Sequence, residues 1–517
     1  MPSQGISASS SLVLRLSKLL KCMAKKKVIV VGAGFGGISS ACYLAKLGLD
    51  VTIIEKNLQP GGRAAQLVDS GFTFDLGPSW YWTPNIFERF FNDFGTTHED
   101  FFELIRLNPS YKIFWNSSET DEFSTDINQI YEIFEKYEKN SSSKLKKILK
   151  DGEFILNLAL EKFLYREYNS ISDLLKKDLI LNGIKLNIFT NLENLVNKNF
   201  KNPRLKKIVT WQSLFLGATP KILPAMYMFM IYVDFILGTW YPKGGIFEIS
   251  KALQKLAEEL GVKFIFGEEV QKIFVNSNGL AYKVLTKNSN EFEFDYLVAN
   301  ADYPYVETQL LDPEYRTYDM NYWNKKKVSP SSLLYYFGIN KKIPNIIHHN
   351  FYFNEESWDS HFSSLFTKPD WPENPSIYFS ATSKTDSTAP QNMENLFILI
   401  PVASGLEDTE NIRKHYKEYA IQKIEELTNE NFQKNIIVEH TISHSDQIKM
   451  YNAFKGSCFG LAQTLFQSLS FRPKNRSKKV KNLFYSGHFT HPGISMPMTL
   501  ISGKVVANMI AKIENLK

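Results

Sequence analysis

The segment Gly32-Ala33-Gly34-Phe35-Gly36-Gly37 satisfies G-x-G-x-x-G. Glycines at this spacing handle phosphate. Gly32 permits a tight turn, Gly34 lets the backbone approach a pyrophosphate, and Gly37 lets a helix pack close to a strand. The helix that follows would present unpaired N–H groups and a positive dipole end to the phosphates. Glu55 stands near the ~20-residue offset at which an acid accepts ribose hydroxyls. The glycine pattern by itself could be a turn without a ligand. With Glu55 and the flanking elements it reads as a dinucleotide site.

Other reactive residue types carry weaker signals. His488 and His491 share a loop with Pro492 and Gly493, and no acid or thiol cluster accompanies them. They read as loop-shaping residues rather than metal ligands, and no metal is expected. Cys22, Cys42 and Cys458 lie far apart without metal or redox spacing, which fits a reducing cytoplasm. Asp234, inside an apolar run, is a weak candidate for acid–base chemistry. A helix-end or salt-bridge role competes with that reading.

The elements around the turn must hold it in place. Residues 28–31 form a short β-branched run that reads as a buried strand, residues 38–47 as a helix capped by Gly48, and residues 51–54 as a second strand. Together they make a β-turn-α-β unit. Residues 85–95 read as helix. The segment 116–200, rich in Lys, Asn, Glu and Leu, reads as helices with polar connections and a loop at 140–144. Residues 222–237 form a dense apolar run with Met226, Tyr227, Met228, Phe229, Met230 and Tyr232. Gly244-Gly245 opens an amphipathic helix reaching Leu260. Strands are expected at 263–266, 272–275, 282–286, 296–299, 333–339, 377–381, 396–402 and 483–485, and a final helix at 499–513. Strands among helices imply α/β or α+β layers.

The totals set bounds. A chain of 517 residues exceeds one hydrophobic core and implies two or three domains. Its net charge is +6, and Arg15, Lys18, Lys21, Lys25, Lys26 and Lys27 account for it, leaving 54 basic against 54 acidic residues, that is, 60 less these six. A nucleic-acid partner is therefore not expected, although a local patch could hide in a neutral total. No apolar run reaches the ~18–20 residues of a spanning helix. The first 22 residues read as an upstream extension or dispensable tail, with a targeting peptide as the alternative; Met23 begins Met-Ala-Lys-Lys-Lys directly before the first strand.

After Glu55 and Lys56 comes Gly61-Gly62-Arg63, which resembles the extended fingerprint of the large FAD oxidoreductase superfamily. The Arg63 guanidinium would face a phosphate or the flavin side; a surface salt bridge is its alternative role. Further blocks resemble the bacterial-type phytoene desaturase family of carotenoid desaturases. They are Gly71-Phe72-Thr73-Phe74-Asp75-Leu76-Gly77-Pro78-Ser79-Trp80, Gly238-Thr239-Trp240-Tyr241-Pro242-Lys243-Gly244-Gly245 and Asp295-Tyr296-Leu297-Val298-Ala299-Asn300-Ala301-Asp302. Ser329-Pro330-Ser331-Ser332, His348-His349-Asn350, Tyr451-Asn452 through Gly460-Leu461, Arg472-Pro473, and Thr490-His491-Pro492-Gly493 with Pro497 continue the series. It departs at Ile494-Ser495-Met496-Pro497-Met498, where many relatives carry smaller residues, so bulkier side chains there could reshape the pocket.

The resemblance implies FAD as cofactor. It extends the expected cofactor contacts from Gly32, Ala33, Gly34, Phe35, Gly36, Gly37 and Glu55 to Lys56, Gly62, Arg63, Gly77, Pro78, Ser79, Val270, Ala301, Asp302, Gly487, Pro497 and Met498. It implies a discontinuous Rossmann-type FAD domain from 25–115, 238–305 and 477–517, a sheet-based substrate domain at 306–476 and a helical membrane-facing region at 116–237. Residues 1–24 lie outside this scheme as an extension. The implied activity is desaturation of phytoene toward lycopene by a cytoplasmic protein held peripherally on the membrane, with quinone or oxygen as electron acceptor. A 3,4-desaturase or a C30 diapophytoene desaturase shares these motifs. An NAD-dependent dehydrogenase and a non-catalytic polyene-carrying flavoprotein are alternatives of other classes; Gly61-Gly62-Arg63 and the C-terminal Gly-Pro loop speak against the first.

Overall fold

The computed structural model describes residues 25–170, 172–173 and 190–516. The expected extension at 1–24 lies outside them.

The first expected unit forms as read. The strand Lys27–Val31 pairs in parallel with Asp50–Glu55, Val28 opposite Val51, and with Tyr296–Ala299, Val28 opposite Tyr296. Lys263–Phe266 and Leu483–Tyr485 complete a five-stranded parallel sheet. Its order is Leu483–Tyr485, Tyr296–Ala299, Lys27–Val31, Asp50–Glu55, Lys263–Phe266. Three distant parts of the chain therefore build one sheet.

Side-chain alternation feeds both faces of that sheet. Val28, Val30, Val51 and Ile53 pack under the helices Phe35–Lys46, Phe247–Glu259 and Met496–Glu514. Ile29, Val31, Ile54 and Leu297 face the antiparallel strands Val270–Val275, Ala281–Thr286 and Glu291–Glu293.

A second, seven-stranded sheet runs in the order Ile436–Ile442, Ser331–Ile339, Glu394–Val402, Ile377–Ser380, His349–Tyr352, Tyr111–Phe114, Thr120–Phe123. Its pairings are antiparallel except that of His349–Tyr352 with Tyr111–Phe114. The helix Glu410–Thr428 covers one face, with Tyr416, Ala420, Ile424 and Leu427 buried there. Leu334, Tyr336, Phe351, Tyr378 and Phe397 point to the opposite face, into the largest apolar cluster. The protein is thus a mixed α/β structure with a discontinuous Rossmann-type domain beside a sheet-based one.

Two expectations are corrected. Residues 116–200 are not all helix and connection, because Thr120–Phe123 joins the second sheet before the helices Ile127–Tyr137, Ser141–Lys162 and Leu192–Asn199. Residues 141–144 are not loop but the start of a long helix. The Glu135 carboxylate accepts the N–H groups of Asn140 and Ser142 and the Ser142 hydroxyl, so the serines begin a helix whose end the preceding helix caps. The apolar run 222–237 contains a 3-10 turn Ala225–Met228, a short α-helix Phe229–Tyr232 and a π turn Val233–Leu237. Among the described residues no helix is long and apolar enough to cross a membrane.

Candidate active site

The glycine turn has the conformation that phosphate binding requires. Gly32 sits at φ 104°, open to glycine and strained for other residues, and its N–H donates to the Ile54 carbonyl at 2.8 Å. A Cβ on Gly34 would lie 2.7 Å from the Asn300 Oδ1, and one on Gly37 only 2.2 Å from the Gly32 carbonyl oxygen. The helix Phe35–Lys46 begins at Gly34 with no side-chain cap and no acidic residue in its first turn, so its leading N–H groups remain available to an anion.

Glu55 closes the turn from the neighbouring strand. Its carboxylate accepts the Ala33 N–H at 2.6 Å and the Asn57 N–H at 2.9 Å. Burial pushes its pKa up, and these two N–H groups oppose the shift. Each oxygen keeps a further lone pair for a ribose hydroxyl. Asn300 lies under the turn and donates to the Ser486 carbonyl at 3.1 Å. The sequence reading did not count it among the site residues, although it directly precedes Ala301-Asp302.

One cavity of about 840 Å³ opens from this turn. Gly32, Gly34, Phe35, Gly36, Glu55, Lys56, Gly62 and Arg63 line its start. Gly77, Pro78, Ser79, Val270, Ala301, Asp302, Gly487, Pro497 and Met498 also line it. Ala33 and Gly37 do not. The former acts through its N–H to Glu55, and the latter packs beneath the turn.

Arg63, Asp302 and His488 form a polar cluster in the cavity wall. The Arg63 Nη2 donates to the Ser457 carbonyl at 3.3 Å, lies 3.8 Å from the Asp302 Oδ2, and its guanidinium sits 5.5 Å from the Tyr451 ring centroid. Burial pushes the Asp302 carboxyl up to about 7 against the opposing field of Arg63. Burial and the nearby Arg63 and Arg472 hold the His488 ring well below the usual histidine range, so it is neutral. Among the described residues, the Arg63 Nε, both Asp302 oxygens and the His488 Nε2 have no hydrogen-bond partner. The three residues line the cavity next to glycines that admit no Cβ, where a bound dinucleotide could approach them.

The far part of the cavity is aromatic and apolar. Trp80, Trp82, Trp211, Phe215, Phe351 and Tyr378 wall it, with Trp211 centroid distances of 5.4 Å to Trp80, 5.7 Å to Trp82 and 4.6 Å to Phe351. Met226, Tyr227, Phe229 and Met230 from the apolar run also line the cavity. That run therefore contributes to a cavity as well as to the core.

Several sequence candidates fall outside this space. Asp234 does not line the cavity. It is buried behind it, accepting from the Tyr111 hydroxyl at 3.0 Å and the Gln212 amide at 2.7 Å, and burial pushes its carboxyl up to about 7. Asp234 does stand at a helix end, in the first turn of Val233–Leu237, and among the described residues it forms no salt bridge. His348 and His349 also stand behind the wall. The His349 ring stacks on Trp80 at 4.1 Å and its Nδ1 meets the Tyr378 hydroxyl at 2.8 Å, while burial holds both rings neutral. His491 lines the cavity, and its Nε2 reaches the Leu164 carbonyl at 3.0 Å.

Residues 35–511 match the family of flavin-containing amine oxidoreductases. The chain belongs to that family. A carotenoid 3,4-desaturase of Haloarcula japonica is 38% identical over 94% of this chain and 98% of its own length. A zeta-carotene-forming phytoene desaturase of Myxococcus xanthus is 32% identical over 94% of each. A solved oxidoreductase from Methanosarcina mazei shares the fold, with a TM-score of 0.61, 16% identity, and coverage of 94% of this chain and all of that one. This flavin-containing amine oxidoreductase is an FAD-dependent enzyme. Its glycine turn and helix N-terminus could hold the pyrophosphate, and Glu55 a ribose.

Proposed function

We propose that this chain is an FAD-dependent carotenoid desaturase that takes phytoene, or a polyene like it, toward lycopene. The observation that carries the reading is that a single cavity joins the glycine turn to a chamber walled by Trp80, Trp82, Trp211 and Phe351. A dinucleotide and a long apolar substrate would share one space there. Apolar walls with a few convergent polar groups suit such a ligand, and flexible methionines accommodate its length.

Bound FAD would supply the two-electron oxidant for removing hydrogen from an allylic carbon. The chain's own part is to orient the polyene and keep water out, which the aromatic wall does. A positive charge delocalised along a polyene loses its proton easily, so the site needs no strong base. The neutral His349 and the displaced Asp234 fit that requirement.

The 3,4-desaturase reading is favoured by the Haloarcula relative, and a C30 polyene fits the same walls. In the domain scheme proposed here, residues 25–115, 238–305 and 477–517 serve FAD, except that Tyr111–Phe114 pairs with the substrate sheet. Quinone or oxygen is the proposed electron acceptor, and the protein works in the cytoplasm against a membrane that stores the polyene.

Expression in cells that accumulate phytoene, followed by pigment chromatography, tests the reading. New conjugated products at the expense of phytoene are expected. Unchanged phytoene together with conversion of a supplied hydroxylated or C30 polyene would move the substrate to that alternative.

A further inference from the structure

The balanced charge of residues 28–517, 54 basic against 54 acidic, hides a strongly uneven distribution. Residues 447–513 contain no Asp or Glu, and within them Lys474, Arg476, Lys478, Lys479 and Lys481 crowd into eight positions. A second run, Lys325-Lys326-Lys327, is far away in sequence. The fold brings the two together. The Lys326 ammonium sits 4.4 Å over the Tyr322 ring, Tyr322 stacks on Tyr318 at 4.3 Å, and the Tyr318 hydroxyl accepts the Lys474 N–H at 3.3 Å. The Lys478 N–H donates to the Thr317 hydroxyl at 3.1 Å.

Lys325, Lys327, Lys478, Lys479 and Lys481 are exposed. Among the described residues none of these five pairs with a carboxylate within 4.0 Å. The nearby acids are engaged elsewhere or few. Asp319 accepts the Tyr322 N–H as a helix cap, Asp312 pairs with Lys272, and Lys474 feels Asp173.

This basic face adjoins the mouth of the cavity. Lys327 exchanges hydrogen bonds with the Gln467 side chain at 3.0 and 2.8 Å. Its neighbour Phe466 lines the cavity yet is 72% exposed, so it stands at the opening. Phe471 packs on Phe466 at 5.8 Å, and the Lys474 ammonium donates to the Ser470 carbonyl at 2.6 Å. An exposed aromatic tip at the opening of an apolar cavity, bordered by cations without carboxylate partners among the described residues, has the chemistry of a bilayer interface. Apolar insertion and headgroup attraction reinforce each other there.

We propose that the protein docks on anionic lipid headgroups through residues 325–327 and 474–481, an arrangement that sets Phe466 and the cavity mouth into the bilayer surface. The inference rests on the reading that the cavity takes an apolar polyene, which a bilayer stores and water does not.

Flotation of the FAD-loaded full chain with vesicles tests it, using phosphatidylcholine alone or mixed with phosphatidylglycerol. Partition onto the mixed vesicles should be on the order of tenfold or more stronger at low salt and should collapse toward the neutral value at high salt. The variant carrying Lys325→Glu, Lys326→Glu, Lys478→Glu and Lys479→Glu should lose the preference. It should keep its flavin content and its turnover of detergent-dispersed polyene. Gln in place of Glu at the same positions guards against misfolding and should give an intermediate partition. Equal binding to both vesicle types, or a preference unchanged in both variants, overturns the proposal. So does tight binding to single-stranded RNA without any vesicle preference, which would make the face a nucleic-acid surface. A charge-dependent preference with no turnover of dispersed polyene by the parent protein would leave the docking intact and remove the desaturase reading instead.

Discussion

The Glu55 carboxylate accepts the Ala33 N–H at 2.6 Å, tying the end of one central strand to the glycine turn that follows its neighbour. The same carboxylate accepts the Asn57 N–H, so one side chain fixes two loops at the mouth of the nucleotide site. Replacing Glu55 with Ala removes two charge-assisted bonds and the expected ribose acceptor. At about 1.5–3 kcal/mol for a hydrogen bond to a charged group, FAD affinity should fall by at least about tenfold. Titration of the apoprotein with FAD, followed by flavin fluorescence, measures this. Unchanged affinity would place the ribose contact on another residue.

Gly34→Val should abolish flavin binding. The first added carbon meets Asn300, which cannot retreat freely because its amide is bonded to Ser486. The valine methyls would also occupy the approach path of a phosphate. The purified variant should be colourless. A yellow protein with stoichiometric FAD would show that the turn does not hold the pyrophosphate.

Arg63→Lys should weaken FAD binding several-fold even though charge is conserved. A lysine cannot reach the Ser457 carbonyl, stay over the Tyr451 ring and face Asp302 together, as the planar guanidinium does. The flavin absorption spectrum and the FAD dissociation constant of the variant report the loss. A variant with the parent's spectrum and affinity would reduce Arg63 to a structural ion-pair residue.

Asp234→Asn should change the pH dependence of stability more than catalysis. The folded carboxyl is held up at about 7, against about 3.9 for an unperturbed aspartate. Between those values the folded chain binds one more proton than the unfolded chain. The contribution of Asp234 to stability is therefore complete below the unfolded value and is lost as pH rises through the folded one. The Asn variant should lack this decline between pH 4 and pH 7 in a denaturation series, while turnover stays within about twofold because the residue does not face the cavity. A rate loss of orders of magnitude with the fold intact would return Asp234 to the chemistry.

The nucleotide half was legible because its signals are local. A β-branched run, a glycine turn and an acid at the end of the next strand lie within about thirty residues, the span of one βαβ unit. The substrate half was less legible because its determinants are scattered. Thr120–Phe123 is a short edge strand on Tyr111–Phe114, whose other partner comes from 349–352, and nothing in their own composition reports that second pairing. Trp80 and Trp211 meet Phe351 only after three segments fold together. The helix start at Ser141 hid behind a serine-rich stretch because its cap, Glu135, belongs to the preceding helix. The basic face was invisible for the same reason: a net charge sums over the chain, and only the fold apposes residues 325–327 with 474–481.

The parallel sheet under the glycine turn has a consequence for synthesis. Leu483–Tyr485 pairs with Tyr296–Ala299, and Asn300 reaches from there to Ser486 beneath the turn. A nascent chain can complete this arrangement only once residues 483–486 have left the ribosome's exit tunnel. FAD capture should therefore wait for them, and chains stalled or clipped before residue 483 should leave the translation machinery without flavin.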